Sequence, residues 1–188
     1  MKNLIIILIA VFSFQFTKAQ DFKETKKYIV VNELITKQQE YASALFNIVA
    51  EQDTNKKVTT LDISDLDFFE DITISTLSNP NLENINEIIK VDVNYVTCCA
   101  RTETYYFLAT NDNNFISLPH IENMCCDNTA SEVQYIFPSQ PLGKEDTILK
   151  TEVHFTEAYI IKDTVIQQSF VWNDNNFNNE DAVSYLKQ

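Results

Sequence analysis

The chain has 188 residues, of which 45% are hydrophobic and 12% aromatic, and its formal net charge is −13. This apolar content is enough for one domain with a proper core and excludes global disorder. The strong negative charge repels phosphate backbones, which argues against nucleic-acid binding and favours cationic partners. Gly143 is the single glycine, so a glycine-rich phosphate cradle, a dinucleotide fingerprint and a G-x-S-x-G elbow are also excluded.

Residues 1–19 are predicted to form a secretory signal peptide. A basic start at residues 1–3 precedes an apolar run at residues 4–16, and Thr17 and Ala19 occupy positions −3 and −1 of a cleavage site. The run is short for a stable membrane span, and no later segment is apolar enough to cross a bilayer. We therefore expect an exported, periplasmic or extracellular protein whose residues 20–188 form one domain; an uncleaved anchor is the alternative. Cleavage removes two lysines and no acid, which changes the charge from −13 to −15.

Residues 21–51 are predicted to form one long amphipathic helix. Apolar residues recur there at steps of three and four, and lysines and glutamates occupy the opposite face. We expect the apolar stripe to lie on a sheet, with a partner-binding helix as the alternative. The stripe consists of Val31, Leu34, Ile35, Ala42, Leu45, Ile48 and Val49.

Short elements are expected after this helix. Residues 56–63 suit a short strand, and Ser64 followed by Asp67 resembles a capping box, which indicates a short helix. Residues 82–89 suggest one or two further helical turns. Tight turns are assigned to asparagine and aspartate, because these residues tolerate positive φ best after glycine. The asparagine clusters lie at residues 111–114, at residues 173–179 and around Pro80.

From residue 88 onward the period changes to two, which is typical of strands. Val91, Val93 and Tyr95 alternate with polar residues, and residues 104–110 suit a central strand because they are apolar at successive positions. The strands follow one another without helices between them, which favours an antiparallel sheet. Further strands are predicted at residues 115–118, 133–137, 149–155 and 165–172, with a polar loop at residues 119–130 and a last helical turn at residues 181–186.

The predicted fold is therefore α+β, with an N-terminal long helix packed on a curved antiparallel sheet of five or six strands. Disulfide bonds are expected to cross-link this sheet. The order of a helix followed by a meander resembles the cystatin-like and NTF2-like α+β folds. The resemblance is one of pattern without a shared motif, and it implies no activity.

The four cysteines form two adjacent pairs, Cys98-Cys99 and Cys125-Cys126. An even number of cysteines in an exported chain indicates disulfides, and bonds between the two pairs are favoured. Vicinal disulfides within each pair are one alternative. A copper(I) site with His120 or His154 is another, although adjacent cysteines lack the ligand spacing of structural zinc sites. No cofactor or metal is predicted.

No catalytic residue stands out, because neither histidine belongs to a recognisable arrangement of nucleophile, base and orienting acid. A candidate pocket between the helix and the concave face of the sheet is assigned to Tyr105, Phe107 and His154.

Several functions remain open. The favoured one is an acidic, non-enzymatic binding module for a cationic protein or peptide, for example an inhibitor of a basic hydrolase. The second is a small enzyme or ligand-binding protein that uses the candidate pocket. The third is a redox or metal-handling protein that uses the cysteine pairs, and a structural envelope protein is the remaining possibility. Salt-sensitive capture of cationic proteins distinguishes the first from the others.

Overall fold

The structure is a computed structural model, and it describes residues 21–38, 41–64, 66–96, 99–125, 131–156, 158, 160–173, 176–180 and 184–186. In this part of the chain the regular elements are all strands, and no helix suited to crossing a membrane occurs. The strands are β1 (Lys23–Glu24), β2 (Tyr28–Gln38), β3 (Tyr41–Ala50), β4 (Asp53–Ile63), β5 (Phe69–Ser78), β6 (Ile85–Tyr95), β7 (Ala100–Thr110), β8 (Phe115–Ser117), β9 (Ile121–Cys125), β10 (Ser131–Ile136), β11 (Thr147–Phe155), β12 (Ile161–Asn173), β13 (Asn176–Glu180) and β14 (Ser184–Leu186).

These strands form three antiparallel sheets. Sheet A has the order β1-β5-β6-β7-β8, and β9 also pairs with β7. Sheet B consists of β2-β3-β4, and sheet C has the order β10-β11-β12-β13, with β14 also paired to β12. Strands that follow one another in the chain are mostly neighbours, as expected for short antiparallel connections.

Sheet A is the middle layer, because both of its faces bury apolar side chains against another sheet. On one face Ile88 and Leu108 belong to a core cluster that includes Ile148 of sheet C. On the other face Val91 belongs to a second cluster that includes Ile48 of sheet B. Burial on both faces explains why β7 is apolar at successive positions.

The predicted N-terminal helix is wrong, because the segment forms the antiparallel hairpin of β2 and β3. In β3 Phe46, Ile48 and Ala50, which are two residues apart, all contact the cluster between sheets A and B. The segment thus satisfies a period of two as well as the helical steps. Branched and aromatic side chains pack well on a pleated surface, and burial against sheet A favours the strand. The α+β class and the likeness to cystatin-like and NTF2-like folds are therefore wrong, and the described residues form an all-β fold.

The later strands were predicted better than the early ones. Strands are confirmed at residues 56–63, 91–95, 104–110 and 133–137, and so is the final hairpin. The short helices expected from residue 64 and over residues 82–89 are absent, since turns and the starts of β5 and β6 occupy these positions. A last helical turn was predicted at residues 181–186, but residues 184–186 form β14. The predicted loop at residues 119–130 contains the strand β9.

The asparagine-rich turns are confirmed at residues 111–114 and around Pro80, whereas residues 176–179 of the third cluster belong to β13. Asn79, Asn81 and Asn84 flank Pro80, and Asn113 lies in the β7–β8 turn; all four asparagines have φ between 48° and 63°. Asparagine therefore takes the positions that glycine fills in most chains. Residues 174–175 of the third cluster lie outside the described residues.

The predicted disulfide cross-link between the cysteine pairs is not supported by the described residues, because Cys99 is the one cysteine whose side chain they include. Cys98 and Cys126 lie outside the described residues, and nothing is described of the Cys125 side chain. Cys99 is disulfide-bonded, and its partner lies outside the described side chains.

Candidate functional site

A polar cleft of about 300 Å³ lies between sheet A and the start of β10. It occupies the face of sheet A that packs on sheet C, beyond the point where the apolar core ends. Strands β5, β6, β7 and β9 of sheet A supply most of its wall, and β10 supplies the rest. The lining residues are Thr73, Lys90, Asp92, Asn94, Thr102, Thr104, Asn123 and Glu132.

The cleft arises from strict alternation in β6. Val91, Val93 and Tyr95 are buried against sheet B, so the polar residues between them are directed to the opposite face. Strand register extends this polar face across the sheet, because directly opposed residues share a face. One row consists of Thr73, Asp92 and Thr104, and the next of Asp71, Asn94, Thr102 and Asn123.

Asp92 is held at both carboxylate oxygens. Lys90 Nζ lies 3.0 Å from Asp92 Oδ2, and the side chains of the two residues are 21% and 18% exposed. The Thr104 hydroxyl donates to Asp92 Oδ1 at 2.7 Å. At such partial burial the ion pair is less screened than one on the open surface. The positive charge of Lys90 is therefore compensated within the cleft.

The second polar row ties the strands together. Thr102 Oγ1 donates to Asn94 Oδ1 at 3.0 Å, and Asn94 Nδ2 donates to Asp71 Oδ1 at 2.7 Å. Asn123 Nδ2 donates to the Val133 carbonyl at 2.9 Å, and the Val133 amide donates back to Asn123 Oδ1 at 2.8 Å. This reciprocal pair attaches the edge of sheet C to sheet A and fixes the wall that carries Glu132.

Glu132 gives the cleft a net negative charge. No cation pairs with Glu132 among the residues that the structure describes, whereas Asp92 is matched by Lys90. Tyr106 lies nearby and is fully buried. Burial raises the pKa of the Tyr106 phenol, and the negative charges of Asp92 and Glu132 raise this pKa further.

A second polar cluster surrounds Arg101, on the face of β7 that is turned to sheet B. Arg101 pairs with Glu103 at 2.6 Å and lies over the Tyr95 ring at 4.2 Å. The Tyr105 hydroxyl donates to Glu103 at 2.9 Å, and His120 stacks on the Tyr105 ring at 5.6 Å. Burial, followed by the bond to Glu103, raises the pKa of Tyr105. Arg101 Nε also lies 3.4 Å from Glu122 Oε1, and such a cluster of paired polar groups is typical of a structural network.

The residues of the predicted pocket are divided between two sheets. Tyr105 and Phe107 lie on the same face of β7 in sheet A, where Phe107 is buried in the core. His154 lies on β11 of sheet C, with its Nε2 atom 3.8 Å from Glu152 Oε1 and 3.8 Å from Asp163 Oδ1. The structure therefore does not bring these three side chains into one pocket.

Within the described ranges no group of three His, Cys, Asp or Glu side chains is arranged to hold a metal ion. His120 is exposed and stacks on Tyr105. The alternative of a copper(I) site at the cysteine pairs loses Cys99 as a thiolate ligand, because Cys99 is disulfide-bonded; the other three cysteine side chains are not described.

The residues of the cleft were not singled out in the sequence. The available signal was the alternation in β6, where Asp92 and Asn94 separate buried residues. That pattern indicates one polar face but does not show that β10, some 40 residues later, closes over it. Asn123 lies in the segment 119–130 that the sequence predicts to be a polar loop. Glu132 lies just before the strand that is predicted at residues 133–137.

No protein-family model matches this chain, and neither a curated protein nor a solved structure resembles it measurably. An all-β fold by itself implies no activity. The chemistry of the cleft and of the surface around it is therefore the basis for a functional proposal.

Proposed function

We propose that this chain is an exported, non-enzymatic binding module for a cationic protein or peptide. In this proposal the polar cleft receives a lysine or arginine side chain of the partner. The observation that carries the proposal is the charge balance of the cleft. Lys90 is neutralised by Asp92 at 3.0 Å, which leaves Glu132 as the one acid of the cleft without an ion pair to a described residue.

The charge of the whole chain supports the same partner. The formal charge is −13, and it becomes −15 when the two lysines of the predicted signal peptide are removed. A surface of this sign attracts cationic partners and speeds their encounter at low ionic strength. The local charge at Glu132 would then decide where the partner binds.

The composition of the cleft favours binding over catalysis. Its lining contains neither histidine nor cysteine. The hydroxyls of Thr102 and Thr104 already donate to Asn94 and Asp92, so neither is poised as a nucleophile beside a base. The alternative of a small enzyme with a pocket between helix and sheet has no support, since the described residues contain no helix.

The proposal is tested with the chain of residues 20–188 and a fluorescent octapeptide that alternates lysine and threonine. Binding is followed by anisotropy at ionic strengths of about 0.02 M and about 0.5 M. We expect binding at the lower ionic strength and loss of most of it at the higher one. Glu132→Gln should weaken binding about fivefold, since a charge-assisted contact contributes roughly 1 kcal/mol.

Glu145→Gln is the matched control. It makes the same change of net charge at an exposed position of the loop before β11, and we expect it to change the affinity less than twofold, on the order of 0.3 kcal/mol. Absence of binding at low ionic strength would reject a cationic partner. Equal effects of the two substitutions would show that the cleft is not the contact site.

A further inference from the structure

Strand β5 has an open edge beside the cleft. Its neighbour β1 pairs with it only at Ser75 and Thr76, and the Thr25 amide makes one further bond to the Ile74 carbonyl. The chain then leaves this edge and continues as β2 in sheet B. Within the described ranges no strand pairs with residues 69–73 on the side of β5 that faces away from β6.

Backbone amide and carbonyl groups of this segment point to the open edge, where another strand could pair with them. The Ile74 carbonyl points to the edge that carries β1, as its bond to Thr25 shows. In an antiparallel strand the outward backbone groups recur every second residue. The amide and carbonyl of Ile72 are therefore directed to the same edge, where they form a template for another strand.

The side chains along this edge connect it to the cleft. Thr73 lines the cleft, and Asp71 lies in its second polar row. In a strand added to β5, residues opposite Asp71 and Thr73 would share their face, at a Cβ separation of about 5 Å. Alternate side chains of that strand would thus be directed to the cleft.

The charge of the edge selects the kind of strand. Glu70 and Asp71 are exposed on β5, and Asp67 is exposed in the turn before it. None of the three forms an ion pair with a described residue. Lysine or arginine at alternate positions of the added strand would meet Asp71 and, beyond Thr73, the cleft that contains Glu132. An acidic or apolar strand would find no such complement.

We propose that the cationic partner docks by strand addition, as an extended segment with basic residues at alternate positions paired to β5. This mode of recognition uses main-chain hydrogen bonds for affinity and alternate side chains for specificity. The inference rests on the proposed function, because it describes how the cleft receives its partner. A competing explanation is that the acids only prevent edge-to-edge association of the chain.

The test compares two octapeptides of equal charge on residues 20–188. Both alternate lysine and threonine, and one is N-methylated on alternate backbone amides, which blocks strand pairing without removing charge. We expect the unmethylated peptide to bind at least about tenfold more tightly. Hydrogen exchange of the Ile72 amide should slow about tenfold or more when the unmethylated peptide is bound, because that amide gains a partner.

The peptide experiment distinguishes failure of strand addition from failure of the proposed binding function. Equal binding of both peptides, with unchanged exchange at Ile72, would overturn strand addition and leave a cationic partner in place. Absence of binding by either peptide would reject the proposed function itself and support the protective role of the acids. Ile72→Pro offers a second test, since it removes the outward amide; a folded variant that binds with full affinity would also overturn strand addition. The peptide comparison decides the matter if this variant does not fold.

Discussion

Trp172 of β12 donates its indole N–H to the carbonyl of Glu83 at 2.9 Å. The contact joins sheet C to the turn that precedes β6 in sheet A, across 89 residues of sequence. Trp172 is buried in the core between these sheets, and its backbone amide also donates to the Asp146 carbonyl at 2.8 Å. One side chain therefore combines apolar burial with a polar connection between two layers.

Trp172→Phe should destabilise the protein by about 1–3 kcal/mol, because it removes the indole bond and leaves the Glu83 carbonyl without that donor. Urea unfolding followed by circular dichroism measures the loss. Asn173→Ala is the control, since Asn173 is exposed and such changes usually stay within about 0.5 kcal/mol. Indistinguishable midpoints for the two variants would contradict this role of the indole.

Gly143→Ala should also be destabilising, although the substitution is small. A Cβ atom at this position would overlap the Phe137 carbonyl oxygen and would lie 2.8 Å from that of Pro138. Both are backbone atoms, so the loop itself must shift, at a cost of about 1–3 kcal/mol. Thermal or urea unfolding would show the effect, with exposed Glu145→Ala in the same loop as control. Wild-type stability of the Gly143 variant would mean that the loop relaxes freely.

Substitutions of Asn81 test the use of asparagine in left-handed turns. Asn81 is exposed and has φ of 59°. Asn81→Gly should leave the free energy of unfolding unchanged or slightly higher, whereas Asn81→Val should lower it by roughly 1–2 kcal/mol, because a branched Cβ is strained at positive φ. Both variants are compared in one set of denaturant titrations. Equal stability of the two would show that the turn changes its backbone conformation.

Alkaline pH should destabilise the fold through Tyr135. Burial raises the pKa of Tyr135 from 10.0 to about 12, so the folded state holds the phenolic proton more tightly than the unfolded state does. The stabilisation is complete below pH 10.0 and is lost as the pH rises toward about 12, with a slope of at most about 1.4 kcal/mol per pH unit.

Tyr135→Phe separates this titration from the hydrogen bond that the phenol donates to the Pro119 carbonyl at 3.1 Å. Loss of the bond lowers stability by a similar amount at every pH below the titration range. Loss of the titrating group makes the decline above pH 10 less steep. Urea unfolding from pH 8 to pH 12 measures both effects. An unchanged slope in the variant would exclude Tyr135 as a source of the alkaline transition.

The sequence predicted the strands from residue 88 onward better than the first half of the chain. In β6, Val91 and Val93 alternate with polar residues. Only a strand, in which successive side chains point to opposite faces, can bury these valines and leave the polar residues on the other face. In β2 and β3 the apolar residues fit steps of three and four as well as steps of two. Local periodicity cannot choose between the two structures, and the steps of three and four with a polar opposite face predict a helix.

The cleft was less predictable than the fold. Its polar rows exist because β5, β6 and β7 pair in one register, and register is not visible in any single strand. The reciprocal bonds between Asn123 and Val133 bring β10 against β9. Neither Asn123 nor Val133 belongs to a recognisable sequence motif. The candidate pocket of Tyr105, Phe107 and His154 relied on a helix that the described residues do not contain.

The sequence by itself determined the acidic charge, the strands with regular alternation and the positions of the asparagine turns, because each of these depends on the residues of one short segment. The tertiary structure alone decided that residues 28–50 form a hairpin, that sheet A is covered on both faces and that a charged cleft opens at its polar end. These features depend on burial and pairing between distant segments. The free energy of that burial outweighs local preference where a segment allows two structures.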